Sequence, residues 1–268
     1  MQIQPAEGIT GWIRNQIALV TGASSGMGRC FVRQIAEQQP FLHEIWVIAR
    51  RRERLEKLSE ELPEIKLCIV ALDLSDRGSF SALAEKLERE RPHIRLLVNA
   101  AGMGFHGLVY NQELHRICDM LDVNSRALIA ITRICLPYLE KESRVIQLVS
   151  GAAFLPQPGF AVYAASKACV LSFSRALREE LRPKGIFVTA VCPGPVRTDF
   201  FLSGGIALSR VKQIFLAEPD RVVRKALADS AKGRALSVYG LSMKLVRLAG
   251  KVLPQGAVIW LESRLFSI

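Results

Sequence analysis

The amino-acid sequence predicts one doubly wound α/β domain, a parallel sheet with helices on both faces. Short apolar runs alternate with longer amphipathic segments along most of the chain. These runs are continuously apolar, as expected of strands that helices cover on both faces. Neither a linker-like change of composition nor an internal repeat divides the 268 residues. A single domain is therefore predicted over residues 1–268.

Each element follows from its local pattern. The strands are the aliphatic runs, and the helices between them are longer and richer in charge. Strand, helix and strand repeat in order, which makes successive strands parallel. The predicted strands are 17–21, 45–49, 66–72, 95–98, 144–149, 186–191 and 234–238. The first predicted helix follows the glycine-rich residues and ends near residue 39. The others span 51–62, 76–91, about 112–140 and about 160–182.

Half of the residues are apolar, enough for a buried core, and the formal net charge is +11. A basic chain suits nucleic acid, an anionic membrane surface or a phosphorylated ligand. The lysines and arginines are spread along the chain without zinc-finger spacing or an RNA-binding aromatic motif. We therefore expect no nucleic-acid partner.

Six cysteines lie mostly in apolar segments and form no CxxC pair, so buried free thiols in a reducing compartment are predicted, with no metal site. Residues 1–15 lack an apolar signal core, and the longest apolar stretches are too short to span a bilayer. These features predict a cytoplasmic protein.

A glycine-rich run, Thr21–Gly28, follows the first predicted strand and opens a helix. Glycines at 22, 26 and 28 allow a tight turn and the close approach of a pyrophosphate to the backbone. The helix that begins there directs free N–H groups and its positive dipole end at such an anion. The run therefore predicts a dinucleotide site.

The end of the second strand indicates which dinucleotide binds. An acid there would hydrogen-bond the adenosine ribose 2′-hydroxyl, but this chain has Ala49–Arg52, and Arg29 follows the last glycine. Arginine offers a planar fork of donors to a 2′-phosphate. NADP(H) is therefore predicted over NAD(H), with Arg50, Arg51 and Ser24 as candidate phosphate contacts.

A second polar constellation falls at the same edge of the sheet. Tyr163 and Lys167 are one helical turn apart, Ser150 ends the fifth strand, and Asn124 lies in the preceding long helix. Ligand sites in open α/β sheets form at the carboxyl ends of strands. These four residues are the predicted catalytic set.

Together these motifs resemble the short-chain dehydrogenase/reductase superfamily over about residues 15–200. The resemblance implies a Rossmann-like sheet of about seven strands in the order 3-2-1-4-5-6-7. It also implies hydride transfer between NADP(H) and a carbonyl or alcohol. The matching residues are TGxxxGxG at 21–28, Asp73-Leu74, Asn99-Ala100-Ala101-Gly102, Asn124, Ser150, Tyr163 and Lys167, and the run Cys192–Thr198.

The resemblance also implies individual roles. Asp73 would contact the adenine, Asn99 would brace the central strand, and the loop 193–198 would touch the nicotinamide. Ala100 departs from the second asparagine common in the family. The full predicted cofactor set is Gly22, Ser24, Ser25, Gly26, Met27, Gly28, Arg50, Arg51, Asp73, Leu74, Asn99, Ala100, Gly102, Tyr163, Lys167, Pro193, Gly194, Val196 and Thr198.

The chemistry explains the residue types. Tyr163 would donate a proton to the substrate oxygen, and Lys167 and an oxidised nicotinamide would lower the pKa of this phenol. Ser150 would hydrogen-bond the same oxygen as charge develops on it. Lys167 would also hold the nicotinamide ribose, and Asn124 would anchor a water that relays protons from Lys167.

The rest of the chain is expected to determine the substrate. Residues 15–198 form the predicted core, 199–232 a lid, and 241–268 a tail. Phe154 and Leu155 are candidate substrate contacts, and His106 fits a surface loop better than a substrate contact. Apolar residues of the lid could line a pocket or pack on the core: Phe200, Phe201, Leu202, Ile206 and Leu208.

The tail carries an apolar periodicity beside basic residues. Three interpretations stay open: a cap over the substrate pocket, a subunit interface, or a contact with a membrane surface, the first two being commoner in similar proteins. The residues at helical spacing are Leu241, Leu245, Leu248, Ala249 and Val252, beside Lys244, Arg247 and Lys251.

Three functions compete. The first is NADP(H)-dependent interconversion of a small-molecule ketone and secondary alcohol, steroid-like or long-chain. The second is reduction of a 3-ketoacyl thioester. The third is a scaffold that binds NADPH without turnover, which would not need all four of Asn124, Ser150, Tyr163 and Lys167. The resemblance also implies a homodimer or homotetramer.

Overall fold

The computed structural model describes residues 15–39, 41–200 and 216–265. Their centre is a seven-stranded sheet in the order β3-β2-β1-β4-β5-β6-β7, with every neighbouring pair parallel. The predicted fold class and strand order are confirmed. The strands are β1 (Gln16–Thr21), β2 (Glu44–Ala49), β3 (Lys66–Ala71), β4 (His93–Asn99), β5 (Arg144–Leu148), β6 (Phe187–Val191) and β7 (Leu236–Ser237).

Helices cover both faces of this sheet, and the predicted helices 51–62, 76–91 and about 160–182 agree with the observed ones to within a few residues. They are α1 (Gly26–Gln38), α2 (Arg52–Glu61), α3 (Ser79–Glu90), α4 (Leu114–Leu121), α5 (Leu128–Cys135), α6 (Ala161–Leu181), α7 (Pro219–Ala231), α8 (Leu241–Val252) and α9 (Gln255–Leu265).

Alternate residues of each strand enter opposite halves of the core. In β1, Ala18 and Val20 pack on the side of α1, α2 and α7, whereas Ile17 and Leu19 pack on the side of α3, α5 and α6. Both faces are buried, which is why the strand sequences are continuously apolar. The sheet is thus held from both sides, and its carboxyl-end edge is left to form the site.

The continuous helix predicted over about 112–140 is wrong in detail. A π-helical segment, Asp122–Ala127, separates α4 from α5, and a 3₁₀ turn ends the region at Leu136–Tyr138. The buried Asn124 lies in that segment, and a π turn frequently marks a functional site. Helical periodicity alone does not distinguish a π turn from an α turn.

The region predicted as a lid, 199–232, includes a core helix. Val223, Ala226 and Leu227 of α7 are buried in the same cluster as α1. Phe201, Leu202, Ile206 and Leu208 lie outside the described residues.

The cysteine prediction holds only in part. Cys135 and Cys192 are buried, but Cys118 and Cys169 are exposed on the outer faces of α4 and α6. All six are free thiols. Among the described residues, no helix combines the length and apolar character that crossing a bilayer requires.

Candidate active site

A cavity of about 1040 Å³ lies along the carboxyl ends of the strands. It is lined by every residue of the predicted catalytic and cofactor sets except Asn99 and Asn124. One end is formed by the glycine turn and the arginines after β2, and the other by Ser150, Tyr163 and the tail. The cavity follows the path expected of a dinucleotide at the edge of such a sheet.

The glycine turn packs too closely for side chains. A Cβ on Gly28 would lie 2.2 Å from the carbonyl oxygen of Gly22, and one on Gly22 would lie 2.7 Å from the Cα of Ala101. Gly22 also has a φ of +70°, a left-handed conformation that favours glycine. The Thr21 hydroxyl oxygen accepts the N–H groups of Ala100 and Ala101, both at 3.1 Å. The turn is thereby joined to the end of β4.

The first turn of α1 is suited to an anion. It contains no acidic residue, and the side chain of Ser25 makes no capping hydrogen bond to it. Its N–H groups and dipole therefore face the cavity without a competing carboxylate.

Arg51 lines the cavity beside this anion site. Its guanidinium donates to the hydroxyls of Ser24 at 3.3 Å and Ser25 at 3.4 Å. Burial and the neighbouring cations Arg54 and Arg50 lower the pKa of Arg51. Several positive groups repel one another here, an arrangement that a bound phosphate would relieve.

The other arginines near the turn have different partners. Arg29, noted in the sequence beside the last glycine, pairs with Glu61 of α2. Arg50 Nη1 lies 3.8 Å from Asp73 Oδ2, and its side chain remains 60% exposed. Arg50 and Arg51, but not Arg29, are thus available at the cavity.

Asp73 is oriented by its own loop. Its Oδ1 accepts the backbone N–H of Ser75 at 2.9 Å and the Ser75 hydroxyl at 2.7 Å. Burial opposes ionisation, but these bonds and Arg50 outweigh it, so the pKa of Asp73 lies below its usual value. An ionised carboxylate is therefore presented near the arginines.

The phenol of Tyr163 lies at the far end of the cavity. The side chain is 8% exposed, and the neighbouring Ser150 side chain offsets part of the rise that burial causes in the pKa of its hydroxyl. Ser150 follows β5 and accepts the N–H of Ala152 at 3.1 Å, which fixes its hydroxyl. The ring stacks on Phe160 with centroids 4.3 Å apart. Tyr163 and Ser150 therefore line the same end of the cavity.

Lys167 is buried beneath this pair. It is 3% exposed, its Nζ donates to the Leu148 carbonyl oxygen at 3.0 Å, and the same Nζ lies 5.8 Å from the Tyr163 ring centroid. Burial lowers the pKa of Lys167 to about 8. A Cβ on Gly102 would lie 3.1 Å from Asn124 Oδ1, closer than ordinary contact, so the loop after β4 packs closely against Asn124 here.

The lowered pKa predicted for Tyr163 is wrong for the chain's own residues. Burial raises the pKa of Tyr163 to about 12, and the bond from Ser150 offsets only part of that. The sequence argument considered the ammonium of Lys167 but not the loss of solvation, which dominates at this depth.

Asn124 is hydrogen-bonded to two neighbouring segments, and its predicted role as a water anchor stays a prediction. Its Oδ1 accepts the N–H of Met103 at 2.9 Å, and its Nδ2 donates to the Met103 carbonyl at 2.8 Å and to the Ser166 hydroxyl at 3.0 Å. These bonds tie the loop after β4 to α6. Sequence reasoning missed Ser166, although it directly precedes Lys167.

Asn99 does not line the cavity, and its side chain is hydrogen-bonded to the buried Thr132. Its Nδ2 donates to Thr132 Oγ1 at 3.0 Å, and the same oxygen accepts Gln147 Nε2 at 3.1 Å. Thr132 joins β4, β5 and α5 beneath the site, yet nothing in the local sequence around it distinguishes it.

The wall around Tyr163 is apolar. Phe200 lies 5.5 Å from the Tyr163 ring between centroids, and Leu155 also lines the cavity. His106 is exposed on its loop and also lies at the cavity wall. The tail completes the wall with Ser242, Met243, Val246, Ala249, Leu253, Ala257 and Val258.

The seven-stranded fold and these motifs agree with a family match. A model described as short chain dehydrogenase matches residues 16–203, so this chain belongs to the short-chain dehydrogenase/reductase family of oxidoreductases.

Curated relatives match over about three quarters of their length. The NADP-dependent 3-hydroxy acid dehydrogenase YdfG of Escherichia coli K12 is 34% identical over 200 residues, 73% of this chain and 76% of that protein. Sulfoacetaldehyde reductase 2 of Chromohalobacter salexigens is 33% identical over 193 residues, 70% of this chain and 75% of that protein.

A solved structure matches over nearly the whole chain. The short-chain dehydrogenase from Sphingobium yanoikuyae in complex with NADPH has a TM-score of 0.76 and 27% identity, covering 91% of this chain and 94% of that one.

Proposed function

We propose that this oxidoreductase interconverts an apolar ketone and its secondary alcohol with NADP(H). One observation carries the proposal: Tyr163, Ser150 and the buried Lys167 line the apolar end of a cavity whose other end is an anion site. This supports the predicted catalytic set.

The chain's own residues fit a phosphorylated dinucleotide. Side chains are excluded at Gly22 and Gly28, where a pyrophosphate would approach the backbone. Arg51, Ser24 and the exposed Arg50 would hold a 2′-phosphate, and Asp73 would reach the adenine. The names of the relatives, with NADP and NADPH among them, support the same choice.

When bound, the nicotinamide supplies or accepts the hydride. In the reducing direction, Tyr163 donates its phenolic proton to the substrate oxygen, and Ser150 hydrogen-bonds the same oxygen. Lys167 lies where its ammonium stabilises the phenolate that remains. Burial raises the phenol's pKa, so this cation and the charge of the ligand are what make it a usable acid.

Asn124 lies where it would position a water that relays protons from Lys167. Both of its Nδ2 hydrogens and one lone pair of Oδ1 are committed to Met103 and Ser166. A relay water would therefore use the second Oδ1 lone pair, or a backbone carbonyl of the π segment 122–127, next to Lys167.

The substrate class follows from the wall of the cavity. Phe160, Phe200, Leu155 and Met243 surround the hydroxyl pair, so a bulky apolar group beside the carbonyl would be accepted. Reduction of a 3-ketoacyl thioester and binding of NADPH without turnover remain the competing functions.

Cofactor choice is tested by Arg51→Gln. Loss of a charge-assisted bond to phosphate should raise the KM for NADPH about 10- to 100-fold and leave the KM for NADH nearly unchanged. The matched control is Arg52→Gln, since Arg52 is exposed and pairs with Glu56 at 3.7 Å. Equal loss with both cofactors would overturn the assignment of Arg51.

We also propose a homodimer or homotetramer, supported by the exposed small side chains along α6. Ala161, Ala165, Ala168 and Ser172 are exposed at helical spacing. Light scattering of the purified chain tests this, and a monomer at all concentrations would contradict it.

A further inference from the structure

The outer face of α8 carries an exposed apolar stripe, which we call the tail stripe: Leu241, Leu245, Leu248 and Val252. Their exposed fractions are 72%, 58%, 57% and 69%. Spacings of four, three and four residues place them along one side of the helix. The sequence identified this periodicity but not the side to which it points.

A different set of residues attaches α8 to the domain. A Cβ on Gly151 would lie 2.6 Å from Met243 Sδ, and one on Gly194 would lie 3.0 Å from Met243 Cγ. A Cβ on Gly250 would lie 2.8 Å from Leu155 Cδ2. Because these contacts lie on the inner face, burial against the domain does not account for the tail stripe.

Positive charge accompanies the tail stripe. Lys244 and Lys251 are exposed along one flank of α8, Arg247 between them is half-buried, and Leu241–Val252 contains no acidic residue. In α9, Trp260 is exposed, and the guanidinium of Arg264 stacks over it, with Arg264 Cζ 4.6 Å from the Trp260 ring centroid. Together α8 and α9 combine exposed leucine and tryptophan with basic residues, a composition typical of helices that lie in a membrane interface.

We propose that the tail stripe docks on an anionic lipid bilayer, with α8 lying in the interface and its basic flank over the headgroups. A second copy of this chain fits less well. Pairing two α8 helices through their stripes would bring Lys244 and Lys251 near their counterparts with no acid of α8 to offset the repulsion. An anionic surface complements both the stripe and the flank.

Vesicle co-sedimentation of the full chain tests the apolar part. Wild type should bind vesicles that contain phosphatidylglycerol in phosphatidylcholine, and bind phosphatidylcholine alone weakly. The double variant Leu245→Ser with Leu248→Ser should lose affinity at least about tenfold. The matched control is Phe41→Ser, an apolar side chain 52% exposed outside the tail, which should bind as wild type does.

The charged part is tested by Lys244→Glu with Lys251→Glu, which should also weaken binding at least about tenfold. Lys57→Glu with Lys184→Glu makes the same change in net charge at two exposed lysines outside the tail. Equal loss in both double variants would assign binding to overall charge and overturn the proposal.

Two further outcomes would overturn it. One is wild-type binding that is absent, or equal on neutral and anionic vesicles. The other is a change of oligomeric state in the Leu245, Leu248 variant without lipid, which would make the tail stripe a subunit interface. Neither variant changes a residue that lines the cavity, so turnover of a water-soluble carbonyl should stay at the wild-type rate.

Discussion

Replacing Lys167 by methionine should stabilise the protein while abolishing turnover. Lys167 is 3% exposed, and burial holds its pKa at about 8 rather than the usual 10.5. Methionine has a similar length and no charge to desolvate. Residues placed for chemistry often lower stability in this way.

The magnitude follows from the pKa. At pH 7 the difference between 10.5 and about 8 corresponds to about 3 kcal/mol of unfavourable free energy in the folded state. Loss of the hydrogen bond from Nζ to the Leu148 carbonyl costs about 1 kcal/mol in return. The net gain of about 2 kcal/mol should raise Tm by about 4–8 °C.

The pH dependence separates charge from packing. Because the folded-state pKa is the lower one, the unfolded chain binds more protons between about pH 8 and 10.5. Wild-type stability should therefore rise with pH across that window, and the advantage of Lys167→Met should shrink toward zero. Urea unfolding of both proteins without added nucleotide, from pH 7 to about 10, measures this.

The control is Lys57→Met, the same replacement at an exposed site, which should change stability by less than about 0.5 kcal/mol. If Lys167→Met is no more stable than wild type at pH 7, the ammonium is not destabilised by burial. If its advantage is the same at every pH, packing rather than charge is the cause.

Two further predictions concern the turn and the core. Gly28→Ala should abolish nucleotide binding, because its Cβ would lie 2.2 Å from the Gly22 carbonyl oxygen, and fluorescence titration with NADPH measures this. The control Gly78→Ala, whose Cβ would have no atom nearer than 3.5 Å, should bind NADPH normally. Normal binding by both variants would refute the close approach at Gly28. Glu44→Gln should lower the unfolding free energy at pH 7 by about 1–3 kcal/mol. Burial opposes ionisation of Glu44, but Lys66 at 2.8 Å and Trp46 at 2.8 Å outweigh it and lower its pKa, so wild-type stability should fall toward that of the variant below about pH 4.5. A difference that persists undiminished in acid would contradict this.

The sheet was predictable because both of its faces are buried. In β2 all six residues are buried, the five after Glu44 are apolar, and the strand could be placed to within a residue. Strand order came from the resemblance, not from the pattern. β7 was predicted over 234–238 but is only Leu236–Ser237. It lies at the edge of the sheet and pairs with one neighbour, and the sequence pattern does not show where that pairing ends.

Motif spacing predicted the candidate site, but long-range packing determines its details. Tyr163 and Lys167 could be paired from their separation of four residues. The hydrogen bonds between Asn124 and Met103 join residues 21 apart in the chain, and no local sequence pattern predicts them. The apolar periodicity of α8 was visible in the sequence, but the direction of its apolar face was not, and Met243 on the inward face lines the cavity.

The central claim is hydride transfer at Tyr163, and isotope transfer tests it most directly. Wild type is incubated with NADPH deuterated at C4 and a panel of bulky apolar ketones, and the alcohols are analysed by mass spectrometry. Deuterium on the carbinol carbon is predicted for wild type, with turnover at least about 10²-fold lower in Tyr163→Phe and NADPH binding retained. NADPH binding with no deuterium in any product would contradict the account and favour a scaffold, and full transfer by Tyr163→Phe would refute the role of the phenol.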